Sequence, residues 1–299
     1  MLLKFRGLIA SMLVLFLVVA PQARADMVVF GDSLSETGNF SIVTGGALPP
    51  SPLYFNGRFS NGQVWIERLA VALREPAPSP SLSGGSNFAF NGARAAGVSP
   101  YGTPNVALQV ESYLAINGGV ADRDDIFVIW AGANDIFFGL GYEPDFIHNA
   151  IESISLSIKR LHAAGARKFI VLDLPPLGQT PFFNSSMEAS YALNAATAAF
   201  NSGLASELKA LKRLPRIRMS DVRLIKLFNT ITRAPRVFGL QNVLDSATNY
   251  DPMTGIGYSL VPGVAPSRYL FWDSVHPTAK GHEIIAGYAF VETIIHCRD

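Results

Sequence analysis

Residues 27–39 read MVVFGDSLSETGN, the most informative stretch of the chain. The four apolar residues 27–30 have the composition of a buried strand. Gly31, Asp32 and Ser33 then replace apolar side chains with small and polar ones, which is typical of a loop after a strand. The pattern therefore predicts a strand that ends by presenting the hydroxyl of Ser33.

A serine hydroxyl is a weak nucleophile at neutral pH, so it needs a base, a group that orients the base, and donors for an oxyanion. Asp273 and His276 are three residues apart, which lets the carboxylate meet one imidazole nitrogen and leaves the other for the serine. The backbone N–H groups of Ser33 and Gly92 and the side-chain amide of Asn134 are candidate oxyanion donors. For Ser33 alone, capping of a following helix is the alternative.

Four blocks, at residues 30–39, 87–93, 132–135 and 273–277, resemble the GDSL (SGNH) family of serine esterases and lipases, which carries Ser, Gly, Asn and His in that order. The opening and closing blocks are most similar to its bacterial secreted lysophospholipase and acyltransferase branch. This resemblance implies a triad of Ser33, His276 and Asp273. It also implies an oxyanion hole of Ser33, Gly92 and Asn134, with Asn91 as the alternative for the glycine position.

The resemblance implies hydrolysis of carboxylic esters, with lysophospholipids or other lipid acyl esters as the expected substrates. Acyl transfer to a sterol or another alcohol remains open, as does hydrolysis of small esters or carbohydrate acetyl esters. A non-catalytic secreted binding protein is the alternative from another class, but it would be expected to lack at least one of the five site residues. The Gly-x-Ser-x-Gly pentapeptide of common α/β-hydrolases does not occur in the chain.

Residues 1–25 have the pattern of a secretory signal peptide, with Lys4 and Arg6 before an apolar run and Ala-Arg-Ala at 23–25. The apolar run, 8–20, is shorter than the ~20 residues that a transmembrane helix needs, which disfavours an anchor. We therefore expect cleavage, a single SGNH hydrolase domain at 26–299, and a secreted or periplasmic protein.

Without that peptide the chain has 21 Lys and Arg against 23 Asp and Glu, a near-neutral balance that does not indicate nucleic-acid binding. We expect a monomer whose partner is a lipid or other small ester, with transient contact to a lipid surface. No cofactor or metal is expected, because His276 and His282 lack a third ligand at metal spacing. Cys297 is the single cysteine, which excludes an intrachain disulfide.

Apolar runs alternate with helical periodicity, which predicts a three-layer α/β/α sandwich with a mostly parallel central sheet. Strands are expected at 26–30, 125–130, 168–174 and 217–222, and helices at 63–74, 146–164, 188–212 and 278–296. Because ligands bind at the carboxyl ends of parallel strands, Ser33 and Asn134 should meet at that edge. The weakly periodic segment 234–268 is a candidate lid. Candidate acyl-pocket residues are Tyr54, Phe55, Phe137, Phe138, Phe182 and Phe183.

Overall fold

A computed structural model describes residues 26–252, 254–257, 259–263 and 265–296. Its centre is a parallel sheet in which four strands lie side by side in chain order: β1 (Met27–Gly31), β2 (Ile126–Trp130), β3 (Lys168–Leu172) and β4 (Arg218–Val222). The first three strands are almost entirely buried, as expected for a parallel sheet covered on both faces. The predicted signal peptide and Cys297 lie outside the described residues.

The outer edge of β1 is paired with the extended segment 86–90. Val29 N–H donates to the Ser86 carbonyl at 3.0 Å, and Phe88 N–H donates back to Val29 at 2.7 Å. Phe90 N–H continues this ladder to the Gly31 carbonyl at 3.2 Å. Since the pairing is parallel, Gly92 leaves the sheet at the same edge as Ser33.

Helices cover both faces of the sheet. They are α1 (Asn39–Val43), α2 (Trp65–Leu73), α3 (Val106–Ile116), α4 (Ala133–Gly139), α5 (Phe146–Ala164), α6 (Pro181–Asn184), α7 (Met187–Leu211), α8 (Leu224–Arg233) and α9 (Ala279–His296). Helices α2, α8 and α9 form one packed group, while α3, α5 and α7 form a second. The predicted three-layer sandwich is thereby confirmed. None of these described helices is long and apolar enough to cross a bilayer.

The predicted strands and helices match observed elements to within about two residues. Helix α5 ends at Gly165, whose φ of 127° is favoured by glycine, as the sequence predicts. Strand β3 ends two residues earlier than predicted, at Leu172. Pro175 and Pro176 follow it and have no N–H groups with which to continue a ladder.

The segment 234–268, weakly periodic in sequence, contains regular structure. It contains a 3₁₀ turn at Pro235–Phe238 and strand β5 (Asn242–Ser246). Strand β5 pairs in parallel with β6 (Tyr269–Phe271), a partner that lies outside the segment and leads directly into Asp273. The weak periodicity of the segment does not reveal β5, because the pairing edge is supplied by β6 outside the segment. A lid role for the segment stays a prediction.

Candidate active site

Ser33 lies in a tight turn immediately after β1. The carbonyl of Asp32 accepts hydrogen bonds from the N–H groups of Ser35 and Glu36, both at 3.0 Å. The start of the turn is held by Gln109 of α3, whose amide accepts from Gly31 N–H at 2.8 Å and donates to the Gly31 carbonyl at 2.9 Å. The strand end and the turn together fix the position of the serine, and sequence reasoning did not identify Gln109.

Asp273 and His276 belong to a short loop between β6 and α9. One carboxylate oxygen of Asp273, Oδ1, accepts from the backbone N–H groups of Val275 (2.9 Å) and His276 (2.7 Å). Trp272 N–H closes the loop onto the His276 carbonyl at 2.7 Å. This hydrogen-bonded turn explains how a spacing of three residues brings the carboxylate to the imidazole.

The structure brings Ser33, His276 and Asp273 into a continuous relay. His276 Nδ1 lies 2.7 Å from Asp273 Oδ2, and His276 Nε2 lies 2.9 Å from Ser33 Oγ. All three side chains are buried, with Asp273 completely excluded from solvent. With a proton on Nδ1, held by the carboxylate, Nε2 is free to accept a proton from the serine.

Two backbone N–H groups beside the serine have no acceptor among the described residues: those of Ser33 and Gly92. Both residues line the same cavity. Gly92 has φ of +64°, and a Cβ there would lie 2.2 Å from a ring carbon of Tyr101. Only glycine fits this position without displacing the tyrosine. The arrangement offers two donors to one negatively charged oxygen.

Asn134 is the second residue of α4, just beyond the end of β2. Its side-chain Nδ2 donates to the Ala93 carbonyl at 3.0 Å. Its distance to Asp32 Oδ2 is 3.4 Å, longer than an ordinary hydrogen bond, so one N–H remains weakly engaged. Asn134 therefore contacts both the serine turn and the loop that carries Gly92.

Asp135, next along α4, fixes that loop. Its carboxylate accepts from the N–H groups of Ala95 (2.7 Å) and Ala96 (3.0 Å). Arg94 Nε lies 3.7 Å from the same carboxylate, and the Arg94 guanidinium also pairs with Glu143 at 2.6 Å. Asp135 therefore ties α4 to the Gly92 loop and supports the position of Asn134.

The site opens into a cavity with a mostly apolar wall. Its aromatic lining consists of Tyr101, Trp130, Phe137, Phe138, Phe228 and Phe271. The prediction that Phe137 and Phe138 line a pocket is confirmed, whereas Tyr54, Phe55, Phe182 and Phe183 do not line this cavity. Phe183 is instead stacked on Phe137 at 5.2 Å between ring centroids, and so packs behind the wall. Such a lining suits an apolar acyl chain.

Buried carboxyl groups surround the serine turn. Burial raises the pKa of Asp32 to about 7 and that of Glu36 to about 8. Glu36 Oε1 accepts from Phe40 N–H at 2.5 Å at the start of α1, and its carboxyl also lies close to the amide of Asn91. These backbone amides oppose the shift at Glu36 without cancelling it, because desolvation is the larger effect.

The raised pKa of Glu36 predicts a pH-dependent loss of stability. Between pH 4.5 and about 8 the group is protonated when folded and ionised when unfolded, so the free energy of unfolding falls as pH rises. Glu36→Gln has no such proton to lose. In this variant the free energy of unfolding should therefore fall less between pH 4.5 and about 8, by an amount on the order of a few kcal/mol. The plot of Tm against pH should be correspondingly flatter.

Thermal unfolding from pH 5 to 9 measures this effect, with Glu188→Gln on the exposed start of α7 as the control. The control should retain the wild-type slope. Parallel curves for wild type and Glu36→Gln would show that the Glu36 carboxyl does not contribute.

His282, for which the sequence predicts no metal-binding role, lies in α9 and is buried. Its Nδ1 accepts from Trp65 N–H at 3.2 Å, and burial lowers its pKa to about 3. Among the described residues, His, Cys, Asp and Glu side chains form no group of three or more that could hold a metal ion. His282 is placed as a neutral residue between α2 and α9.

Comparison with known proteins identifies relatives over nearly the whole described chain. The family model described as GDSL-like lipase/acylhydrolase matches residues 27–288. A phosphatidylcholine-sterol acyltransferase from Aeromonas hydrophila is 30% identical over 307 residues, which cover 89% of this chain and 90% of that protein. An uncharacterized protein in the trpE-trpG intergenic region of Pseudomonas putida is 29% identical. The match covers 91% of this chain but 49% of that protein. This chain therefore spans about half the length of the Pseudomonas putida relative.

A solved structure supports the same architecture. An alpha/beta hydrolase enzyme from the metagenome of Lake Arreo, Spain, superposes with a TM-score of 0.50, covering 90% of this chain and 94% of its own. The two sequences are only 15% identical. The likeness therefore concerns the fold, and the chemistry must be argued from the site.

Proposed function

We propose that this chain, which belongs to the GDSL-like lipase/acylhydrolase family and is by that membership a carboxylic ester hydrolase, cleaves lipid acyl esters. The preferred substrates in this proposal are lysophospholipids. The observation that carries it is the relay from Asp273 through His276 to Ser33, which ends in an apolar cavity. A buried base and an apolar acyl site together favour attack on an ester with a hydrocarbon chain.

In the proposed reaction, His276 Nε2 takes the Ser33 proton while Oγ forms a bond to the ester carbonyl carbon. The tetrahedral intermediate collapses as the protonated His276 returns that proton to the leaving alcohol, and an acyl-serine remains. Water then attacks the acyl-serine with His276 again as base, releasing the fatty acid and restoring the serine hydroxyl. Asp273 keeps the imidazole in the productive tautomer throughout.

The oxyanion of both tetrahedral intermediates would be held by Ser33 N–H, Gly92 N–H and the Asn134 amide. Of Gly92 and Asn91, Gly92 is the better candidate for the second backbone donor of the oxyanion hole. The Asn91 amide lies near the Glu36 carboxyl and offsets part of its pKa shift, whereas Gly92 N–H has no acceptor among the described residues.

Asn134→Ala should lower kcat by about 10²- to 10³-fold with a smaller change in KM, because the lost donor acts mainly in the transition state. Steady-state kinetics on a soluble p-nitrophenyl ester measures both constants. Asn149→Ala, on the exposed side of α5, is the control and should behave as wild type. Near-normal kcat in a folded Asn134→Ala protein would reduce Asn134 to a structural contact between loops.

Substrate class is tested with the purified chain and a panel of esters: p-nitrophenyl acetate to palmitate, a lysophosphatidylcholine, and acetylated xylan. We expect the highest kcat/KM for acyl chains longer than acetyl, and release of fatty acid from the lysolipid. A preference for acetyl esters would replace the lipid proposal with a carbohydrate acetylesterase or small-ester hydrolase. Absence of activity on every ester would favour a binding protein.

Acyl transfer to a sterol is the second candidate function. It is favoured by the 30% identity to a relative that is named a phosphatidylcholine-sterol acyltransferase. The same residues would serve, with a sterol hydroxyl replacing water in the second step. Phosphatidylcholine vesicles with and without cholesterol separate the two, since cholesteryl ester forms only by transfer and free fatty acid by hydrolysis.

Export is also part of the proposal, supported by the charged and apolar pattern of residues 1–25. Expression of the full chain in a Gram-negative bacterium should give an extracytoplasmic product whose N-terminus is Asp26. An uncleaved product retained with the membrane would indicate an anchor. Size-exclusion chromatography with light scattering on the exported product tests the expected monomer.

A further inference from the structure

We propose that Tyr54 is a positioning residue for the active site, acting through Asp273 to set how strongly that carboxylate holds His276. The inference rests on the proposed function, and it concerns a residue that sequence reasoning placed in the acyl pocket. Tyr54 lies in the connection between α1 and α2, 219 positions from Asp273 in the chain. Its hydroxyl donates to Asp273 Oδ2 at 2.5 Å.

The acceptor atom is what makes this contact informative. Oδ2 is the same oxygen that meets His276 Nδ1 at 2.7 Å, so Tyr54 and His276 share one acceptor. The other oxygen, Oδ1, accepts from the backbone N–H groups of Val275 and His276. Four donors thus occupy a carboxylate that is fully buried, which is the number its lone pairs accommodate.

Two physical consequences follow for the relay. The Tyr54 hydrogen bond fixes the position of Oδ2 and also withdraws negative charge from it. Without the hydroxyl, Oδ2 would be less well fixed but more basic, and would stabilise the imidazolium more strongly. Loss of the hydroxyl should therefore slow turnover and move the acidic limb of the pH profile to higher pH.

Tyr54 is itself held rigidly. Its ring packs edge-on against Phe59, Tyr250 and Trp272, with centroid distances of 6.0, 5.4 and 6.3 Å. Burial and the neighbouring Asp273 raise the pKa of the Tyr54 hydroxyl, so it remains a donor at any working pH. Phenylalanine would preserve these ring contacts, which separates the effect of the hydroxyl from that of packing.

Other titratable groups surround the relay and must be kept constant in a pH experiment. They are Tyr250 and Asp251 beside Tyr54, and Asp32 and His282 beside His276. None is altered in Tyr54→Phe. A displaced acidic limb in that variant then reports the missing hydroxyl.

The test compares Tyr54→Phe with wild type in the full chain, on a soluble p-nitrophenyl ester. We expect kcat to fall about ten-fold with KM nearly unchanged. The midpoint of the acidic limb of the kcat/KM profile should move to higher pH by about several tenths of a pH unit. Tyr113→Phe, a buried tyrosine of α3 that packs on Phe30, Phe88 and Phe127, is the control and should leave both unchanged. Unchanged kcat and pH profile in Tyr54→Phe would make Tyr54 a packing residue.

A double variant tests whether the effect passes through Asp273. Tyr54→Phe should cost much less in the Asp273→Asn background than in wild type, and an equal loss in both would overturn the inference. If Tyr54→Phe fails to fold, 3-fluorotyrosine at position 54 keeps the ring and provides a more acidic donor. The acidic limb should then move to lower pH, and an unmoved limb contradicts the proposal.

One readout is independent of ester hydrolysis. The proton between His276 Nδ1 and Asp273 should give a low-field ¹H NMR signal, which Tyr54→Phe should shift further downfield as Oδ2 becomes more basic. If the chain hydrolyses no ester, the proposed function fails while this signal still tests the Tyr54 contact. A signal identical in wild type and variant overturns the inference.

Discussion

Ser33→Ala is expected to lower kcat for ester hydrolysis by about 10⁵-fold or more, the scale seen when a triad nucleophile is removed. The reason is that Ser33 Oγ is the oxygen within 2.9 Å of the buried His276 base, and alanine leaves no atom to carry the acyl group. Stability should change little, because the hydroxyl has no other hydrogen bond among the described residues. Progress curves at high enzyme concentration, with Tm measured on the same preparation, provide both numbers.

Ser112→Ala is the matched control, since Ser112 is an exposed serine on α3. It should retain wild-type kcat and KM. If Ser33→Ala kept more than about a tenth of wild-type turnover, the nucleophile would have to be another residue.

Asp273→Asn is expected to have the second largest effect, a fall in kcat of about 10⁴-fold. The amide has nearly the same shape as the carboxylate but presents N–H groups towards His276 Nδ1. The imidazole must then accept at Nδ1 and carry its proton on Nε2, where it faces Ser33 and cannot act as base. The substitution therefore tests the tautomer, with little change in packing.

Kinetics and the pH profile of the folded variant measure that effect. Asp124→Asn removes an exposed carboxylate before β2, at the opposite edge of the sheet, and should have no effect on kcat. A loss of less than about ten-fold for Asp273→Asn would show that the orientation of His276 does not depend on the charge of Asp273.

Much of the architecture could be predicted because its signals are local. The apolar run before Ser33 and that before Asn134 each end at a polar block, and parallel strands place such blocks at one edge. The three-residue spacing of Asp273 and His276 likewise needs only one turn of backbone. The structure brings these residues together, while their catalytic roles remain predictions for the experiments above.

What sequence reasoning missed depends on contacts distant in the chain. The place of Tyr54 after the serine block predicts a pocket residue, yet its hydroxyl donates to a carboxylate from the other end of the chain. Gln109 has no distinguishing neighbours in the sequence, and its role appears only where α3 passes the end of β1. Strand β5 was missed for a similar reason, since its partner β6 lies more than 20 residues further on.

Helices α3 and α8 were also not predicted. Helix α3 is apolar around much of its circumference, so no clear polar face marks it. Helix α8 differs, because its buried residues Leu224, Leu227, Phe228 and Ile231 recur at helical spacing, a local signal that could have predicted it. Tertiary packing determines α3 more than a local amphipathic pattern does.

The central claim, that Ser33 is the nucleophile of an esterase, is tested most directly by covalent trapping. A fluorophosphonate with a long alkyl chain should inactivate the enzyme with one adduct per chain by intact mass, and peptide mapping should place it on Ser33. Ser33→Ala should remain unlabelled, while Ser112→Ala should label at the wild-type rate. Labelling of a different residue, or an active enzyme that takes up no label, would contradict the account.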